Sequence, residues 1–350
     1  MQTDLVSPPS EPPSPLAVEV RELDTGDDAV LQRWHEIYVA ADTFERPWAT
    51  VWSFEEAAVN ARDEDETLRN VFVGAFDGAE MVGAGINQLP LLDNTDKVYG
   101  GVFVEPALRR RGVGSALVEH AVATTRAAGR SILLVEGGLP GTEREDHPYT
   151  RFALRHGFTM ANVEVHRVLD LPLDTAEVEA MRAEAAPHYE GYEIRTFEDE
   201  IPDQLLPSYV ELLNRLVLEA PTGEIDFEAE AVTPEVYRKQ VKRMRAQGRH
   251  KLTTLAVSSE GEAVANTDLV IPREDRARVY QWGTLVRSDH RGHHLGAAVK
   301  LQNLLALQEC YPERTEIHTT NAENNDTMIG INDRLGFRVV EICPEFMLET

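Results

Sequence analysis

Val102-Phe103-Val104-Glu105-Pro106-Ala107-Leu108-Arg109-Arg110-Arg111-Gly112-Val113-Gly114-Ser115-Ala116-Leu117 is the stretch on which the reading of the whole chain turns. An apolar strand runs into Arg-x-x-Gly-x-Gly, and a helix follows in which Val113, Leu117, Ala121 and Val122 recur at helical spacing. Glycine lets the backbone turn tightly and brings its N–H groups close to a ligand. A helix start adds unpaired N–H groups and the positive end of a dipole. Such a cradle suits a pyrophosphate, and Arg109, Arg110 and Arg111 can add charge. No Gly-Lys-Ser/Thr follows, so this is not a Walker loop. The strand before it ends a meander of three strands, so it is not the dinucleotide fingerprint of a βαβ unit.

Outward from the loop, the same order of elements occurs twice. Upstream lie a strand at 18–21, a helical stretch at 28–41, and a hairpin of 71–76 and 81–87 around Asp77-Gly78, followed by a third strand, 98–104. Downstream come the helix to about 128, an apolar strand at 132–135 and a second helix ending in Arg155-His156-Gly157-Phe158. The second half opens with a strand at 192–195 and helical stretches at 204–218 and 234–247. A hairpin of 252–257 and 262–271 around Glu260-Gly261 leads to a strand at 277–286 and then to His290-Arg291-Gly292-His293-His294-Leu295-Gly296. A helix, a strand at 316–320 and a last helix ending in Arg334-Leu335-Gly336-Phe337 complete it. Arg109 to Arg291 and Gly114 to Gly296 share one spacing of 182 residues. A period of half the chain predicts two domains of one fold. One such loop alone reads equally well as a tight turn before a core helix, but its recurrence in the same setting argues for a ligand cradle. The expected boundaries are a Pro-rich disordered tail at 1–17, a first domain at 18–172, a linker helix at 173–189 and a second domain at 190–350.

The stretch 102–117 resembles the acetyl-CoA loop of the GCN5-related N-acetyltransferase (GNAT) superfamily, and the resemblance covers both halves. The two-domain layout is similar to that of mycothiol synthase and other tandem acetyltransferases of actinobacteria. The resemblance implies an α/β fold (α+β, with a mixed sheet) in each half and acetyl-CoA or another acyl-CoA as cofactor. In the first half it implies cofactor contacts from Val102, Val104, Arg109, Arg110, Arg111, Gly112, Val113, Gly114 and Ser115. In the second it implies contacts from Leu285, Val286, Arg291, Gly292, His293, His294, Leu295, Gly296 and Ala297, with a backbone N–H near Leu285 or Val286 facing the oxyanion. Asn325, with Asn321 before it, stands where the family places an asparagine against the pantetheine arm; the first half has Asp146 there. This favours the second half as the working one. Two departures accompany it. His294 replaces the first glycine of the loop, and Asn332, like Ala153 in the first half, replaces the tyrosine that protonates the leaving thiolate. Asn332 is then a candidate to hydrogen-bond the sulfur, or a plain helix residue; Lys300 is a candidate partner for phosphate, or part of a solvated helix face.

The implied reaction is direct attack of a neutral amine on the thioester. An ammonium cannot attack, so a base or a water chain must take a proton. Asp268 on the second hairpin strand and Glu228 or Glu230 in Asp226-Phe227-Glu228-Ala229-Glu230 are the candidates for that base, while Asn332 remains the catalytic candidate at the sulfur. Each acid also reads as an ordinary solvated charge. His290, His293 and His294 could share a face toward zinc, but without paired cysteines no metal is expected.

Composition bounds the rest. The 350 residues carry a net charge of −26, which repels nucleic acid and anionic membranes and attracts cations, and which also serves solubility. Only Cys310 and Cys343 are present, no apolar run is long enough to span a bilayer, and residues 1–16 lack the basic and apolar regions of a secretory signal. A cytoplasmic protein is expected, with a homodimer as one option for its assembly. The expected activity is N-acetylation of an amine on a small, cationic molecule. A protein lysine as acceptor and a non-catalytic acyl-CoA sensor are the alternatives.

Overall fold

The repeat seen in the sequence builds one continuous sheet. The computed structural model describes residues 14–141 and 143–350. The first half comprises β1 (Val18–Glu22), α1 (Asp28–Asp42), α2 (Phe54–Arg62), β2 (Leu68–Asp77), β3 (Glu80–Pro90), β4 (Lys97–Val104), α3 (Val113–Ala127), β5 (Ile132–Glu136), the two-residue β6 (Leu139–Pro140), α4 (Pro148–Arg155) and β7 (Thr159–Asp170). A linking helix α5 (Thr175–Ala185) follows. The second half comprises β8 (Glu193–Glu198), α6 (Leu206–Glu219), α7 (Pro234–Ala246), β9 (Arg249–Val257), β10 (Ala263–Pro272), β11 (Arg278–Val286), α8 (Leu295–Cys310), β12 (Glu316–Ala322), α9 (Asp326–Leu335) and β13 (Arg338–Glu349).

Local signals account for the elements. Asp27 caps α1, Ser53 and Glu56 form a capping box on α2, and Thr233 caps α7. Gly78, in a left-handed conformation, turns β2 into β3. One face of the first-half sheet buries Val73, Val98 and Leu133 under Val113, Leu117 and Ala121 of α3. The other buries Phe72 and Ile86 under Leu31, Trp34 and Ile37 of α1. Each such side chain contributes roughly 1.5–3 kcal/mol by leaving water. The second half repeats the layers, with α8 over Leu252, Leu269 and Val279 and with α6 and α7 over Leu255 and Leu285.

Strand order is β1-β2-β3-β4-β5-β13-β7-β12-β11-β10-β9-β8. The last strand of each half has therefore crossed to the other. β13 pairs with β5, β7 pairs with β12, and the two exchanged strands pair with each other at the centre. The expected mixed α/β architecture is present. The elements expected for each half end at Gly157-Phe158 and Gly336-Phe337, and the strand that follows each of them is the one exchanged. Residues 1–13 of the expected tail lie outside the described residues. Ser14 and Leu16 run along the first loop, bonded to Arg111. No helix among the described residues is long and apolar enough to cross a membrane.

Candidate active site

Both loops form the same cradle from different residues. In the first, Arg110 (φ 64°) and Gly112 (φ 90°) are left-handed, and α3 starts at Val113. In the second, Gly292 (φ 83°) and His294 (φ 55°) are left-handed, and α8 starts at Leu295. The two left-handed places coincide at the 182-residue spacing, but glycine fills the second place in one loop and the first in the other. A side chain at such a place costs roughly 1–2 kcal/mol. A Cβ on Gly112 would meet nothing within 4 Å, so the backbone cradle also accommodates His294, whose ring stacks on His188 with centroids 3.9 Å apart. The leading arginine of each loop closes it. Arg109 Nε donates to the Val104 carbonyl at 3.2 Å, and Arg291 Nε to the Val286 carbonyl at 3.4 Å. Arg109 also donates to the Ala41 carbonyl and lies over the Phe44 and Tyr149 rings, while Arg291 bonds Glu219. Arg110 is exposed, and Arg111 ties down Ser14.

Beside each cradle the sheet opens. β4 pairs with β5 only as far as Gly100 with Val135, leaving the edge of Gly101–Val104 without a strand partner there. β11 pairs with β12 only as far as Tyr280 with His318, and a bulge opposite Thr267–Leu269 re-aims the segment leading to Leu285 and Val286. Val102 and Val104 thus border the first opening, and Leu285 and Val286 the second. The N-terminal N–H groups of α3 (Val113, Gly114, Ser115) and of α8 (Leu295, Gly296, Ala297) face the loops. Ser115 Oγ is 3.1 Å from His156 Nε2, and His293 Nδ1 is 3.3 Å from the His188 carbonyl.

Across the strand exchange, polar side chains line one face of the sheet centre. Glu136 ends β5; Glu341, Cys343 and Glu345 lie on β13, Asn162, Glu164 and His166 on β7, and His318 and Thr320 on β12. Glu136 and Thr320 reach solvent while Glu164 and Glu345 are half-buried, which describes a recess open to water. Although Glu136 keeps contact with solvent, the protein packed around its carboxyl strips part of its hydration and, with Glu345 and Glu164 adding like charge, pushes it up to about 7. Burial also raises Glu164 and Glu345. Burial would likewise raise Glu341, but His166 and Arg46 outweigh it and hold it low; Arg46 grips both its oxygens at 3.1–3.2 Å. At Gly138 a Cβ would stand 2.1 Å from the Arg46 guanidinium carbon, so a larger residue there would displace the guanidinium from Glu341. His166 bonds Glu341 and His318, and burial lowers His318 to about 4.

The walls of the recess come from both halves. The α1–α2 loop sends Arg46 to Glu341 and Trp48 toward His318. The α6–α7 loop lays Ile225 and Phe227 over Leu134, Ala161 and Met347. Gly223 permits that approach, because a Cβ there would stand 2.1 Å from the Ala161 carbonyl.

The sequence-derived acids have other partners. Glu228 accepts from the Asn94 N–H at 3.0 Å while its own N–H donates to Asn94 Oδ1, which locks the α6–α7 loop to the first half. Asp268 is 3% exposed. It accepts from the Tyr209 hydroxyl at 2.9 Å, Thr253 Oγ1 at 2.5 Å and Asn266 Nδ2 at 3.2 Å, with Lys251 Nζ at 3.9 Å. Its lone pairs are occupied, and it does not join the recess. Asn325 caps α9 through the Met328 N–H, and Asp146 is exposed and paired with Arg151. Lys300 is not on a solvated helix face: it is 4% exposed and donates to Asn332 Oδ1 at 2.8 Å, while Asn332 Nδ2 donates to Asn321 Oδ1 at 2.8 Å. Glu136, Glu164 and Glu345 escaped sequence reasoning. The one local signal was an acid at the end of the apolar strand 132–135. No group of three or more metal-ligating side chains among the described residues is arranged to hold an ion.

Comparison with known proteins bears on this geometry. Residues 31–158 match the model of the Acetyltransferase (GNAT) family. Among solved structures, a tandem GNAT protein from the clavulanic acid biosynthesis pathway is 25% identical, with 95% of this chain and 98% of that one covered and a TM-score of 0.76. A GCN5-related N-acetyltransferase from Sphaerobacter thermophilus is 15% identical over 96% and 97% of the two chains, with a TM-score of 0.64. The fold also extends to N-myristoyltransferase of Saccharomyces cerevisiae with bound myristoyl-CoA, at 11% identity, 99% and 82% coverage and a TM-score of 0.55. No curated protein matches the sequence.

Proposed function

We propose, from the premise that this chain is a GNAT acetyltransferase whose two halves carry the same fold, that its first half acetylates an amine of a small cationic molecule using acetyl-CoA. The observation that carries this reading is Glu136. It ends β5 where β4 and β5 part, and its carboxyl is raised to about 7, a value suited to accepting a proton near neutral pH.

The cradle at 109–115 fits an acyl-CoA pyrophosphate. Its two left-handed turns aim backbone N–H groups at one place, and the start of α3 adds its own. The thioester then enters the opening, where the unpaired edge of Gly101–Val104 offers N–H groups to the carbonyl oxygen. The acceptor amine comes from the recess. Glu164 and Glu345 hold its cationic groups, and Glu136 takes the proton that frees the lone pair. The amine nitrogen bonds to the carbonyl carbon and the C–S bond breaks; the thiolate leaves with its electron pair and, through water, takes up the second proton that the nitrogen sheds.

A recess walled by loops from both halves suits a small molecule better than a protein lysine. The second half has Thr320 where the first has Glu136, so its cradle holds acyl-CoA beside a hydroxyl rather than a base. Thiol release from acetyl-CoA, measured with polyamines, aminoglycosides and neutral amines, tests the reading. Turnover confined to polycationic amines is the expected result. Turnover that ignores acceptor charge removes the role given to the acids.

A further inference from the structure

The seam between the halves is built twice, and its two copies differ. Val98 and Val279, both fully buried, pair with Leu133 and Ile317, so the residues that follow them, Tyr99 and Tyr280, hold equivalent places. In the first half the α6–α7 loop, 220–233, covers that place, with Ile225 and Phe227 packed among Tyr99, Leu134 and Met347. In the second half the counterpart is the shorter α1–α2 loop, 43–53. It sends Trp48 toward His318, the equivalent of Leu134, and is held by Arg278, which donates to the Pro47 and Ala49 carbonyls. Beside that contact a cavity of about 650 Å³ remains between the loop and the β10–β11 turn, with His35, Trp52 and Tyr280 among its walls. Small-molecule sites span roughly 300–1,000 Å³. Glu136, Glu164 and Glu345 do not line it, and neither does Trp48, so it is separate from the recess.

The polar groups of this cavity divide into satisfied acids and unsatisfied donors. Glu56 accepts from Arg249 Nε and from the Ser53 N–H. Glu274 accepts from Arg273 Nε at 3.3 Å, and Asp275 from the N–H groups of Ala277 and Arg278 at 3.1 and 3.2 Å. Arg249, by contrast, bonds through Nε alone: among the described residues its Nη1 and Nη2 meet no acceptor, although its side chain is only 15% exposed. The Tyr280 hydroxyl is likewise without a partner among the described residues, and burial, with Asp275 adding to it, raises the phenol to about 12, so it keeps its proton. Arg276, exposed on the turn, has neither ion pair nor hydrogen bond among the described residues. A half-buried guanidinium fork with two free nitrogens matches the two oxygens of a carboxylate. His35 Nε2 donates to the Trp52 carbonyl at 2.7 Å, which fixes both rings as walls.

We propose that the seam cavity is a second small-molecule site, which takes a planar aromatic carboxylate. The ring packs against Trp52 and Tyr280, filling the place that Phe227 fills beside Tyr99, and the carboxylate meets Arg249 and Arg276. In a chain of net charge −26, these local donors are what lets an anion enter. The site uses neither cradle nor any acid of the recess, so it stands apart from the reading of acetyl transfer.

The test titrates the full chain calorimetrically with 2-naphthoate, 2-naphthamide and cyclohexanecarboxylate, with coenzyme A present in excess to keep aromatic rings out of the cradles. One equivalent of 2-naphthoate is expected to bind, about tenfold or more tightly than the neutral amide or the non-planar acid, as hydrogen bonds to a charged group allow. Arg249→Lys keeps a cation for Glu56 but loses the fork, and should remove most of the preference for the acid over the amide. Ala277→Trp, on the exposed turn that lines the cavity, should fill it and abolish binding, with the fold intact by circular dichroism. Absence of 2-naphthoate binding at millimolar concentration overturns the proposal. So does equal affinity for acid and amide, which removes the role of the donors. Binding that survives Ala277→Trp places the ligand elsewhere and overturns it as well.

Discussion

Glu136 of the first half and Glu345 of the second stand opposite each other, in register on β5 and β13. No chain with β13 in its own half would make this pair. Burial raises both carboxyls, and at Glu136 the charge of Glu345 adds to it, so both are harder to ionise than a free glutamate. The arrangement becomes favourable when a cation lies between them, which is what the proposed acceptor supplies. The exchange of strands is thus linked to function through one cross-strand pair.

The first prediction concerns Glu136 as base. It acts only when deprotonated, so kcat/KM should rise with pH through about 7 and level off above it. Glu136→Gln should lower kcat by about 10²–10⁴-fold and flatten that rise. Stability moves the other way. A carboxyl raised on folding holds its proton in the native state over a window where the unfolded chain has lost it. Native stability therefore falls as pH climbs from the ordinary carboxylate range to about 7. Glu136→Gln should raise Tm at pH 8 and leave it unchanged at pH 4. Loss of activity with an unaltered pH profile would remove Glu136 from the mechanism.

The second prediction separates the cradles. Gly112→Asp should reduce turnover at least a hundredfold by excluding acyl-CoA from the first half, with the fold intact by circular dichroism. His294→Asp should remove one of two bound coenzyme A equivalents and reduce turnover far less than Gly112→Asp does. A larger loss from His294→Asp would place transfer in the second half.

What the sequence made legible follows from what is local. The loops at 109–115 and 291–297 are written in consecutive residues, so their turns and following helices could be read directly. The spacing that relates them also gave the duplication. The exchange was not legible, because β7 and β13 each carry a strand pattern that suits either neighbour, and pairing partners far apart in sequence leave no local mark. The same limit explains the acids. Asp268 and Glu228 look free in sequence because Lys251 and Asn94 arrive from elsewhere in the fold. Glu136 looks solvated because Glu345 lies 209 residues further along. Lys300 reads as surface charge until β9, β10 and α5 are seen to cover α8.

The third prediction concerns Asp268. Burial raises Tyr209 well above its usual value, with Asp268 adding to the effect; burial would lower Lys251, but Asp268 and Tyr237 outweigh it. Removing one partner of a buried ion pair costs about 3–5 kcal/mol, and replacing both with apolar groups costs far less. Asp268→Asn should therefore destabilise the protein by about that amount in urea unfolding, and Lys251→Met with Asp268→Leu should recover most of it. The pH dependence of turnover should stay as in the wild type. A shifted profile in Asp268→Asn would restore it as a candidate base.

The fourth prediction follows from the exchange itself. Without β13, the edge of β5 is bare, and Phe346, which packs with Leu133 and Val98, is missing from the first core. Without β7, β12 loses the partner that spans Glu316–Ala322, and Leu169 leaves the second core. An exposed apolar strand edge recruits any strand that will cover it. Residues 1–189 and 190–350 expressed separately should therefore aggregate or self-pair, and expressed together as two chains they should form a soluble one-to-one complex with transferase activity. Arg46→Ala in that split protein should weaken the complex further, because it strips the buried Glu341 of its bidentate partner from the other chain. Sedimentation of the separate pieces as folded, active monomers would show that the exchanged strands are not what completes each half.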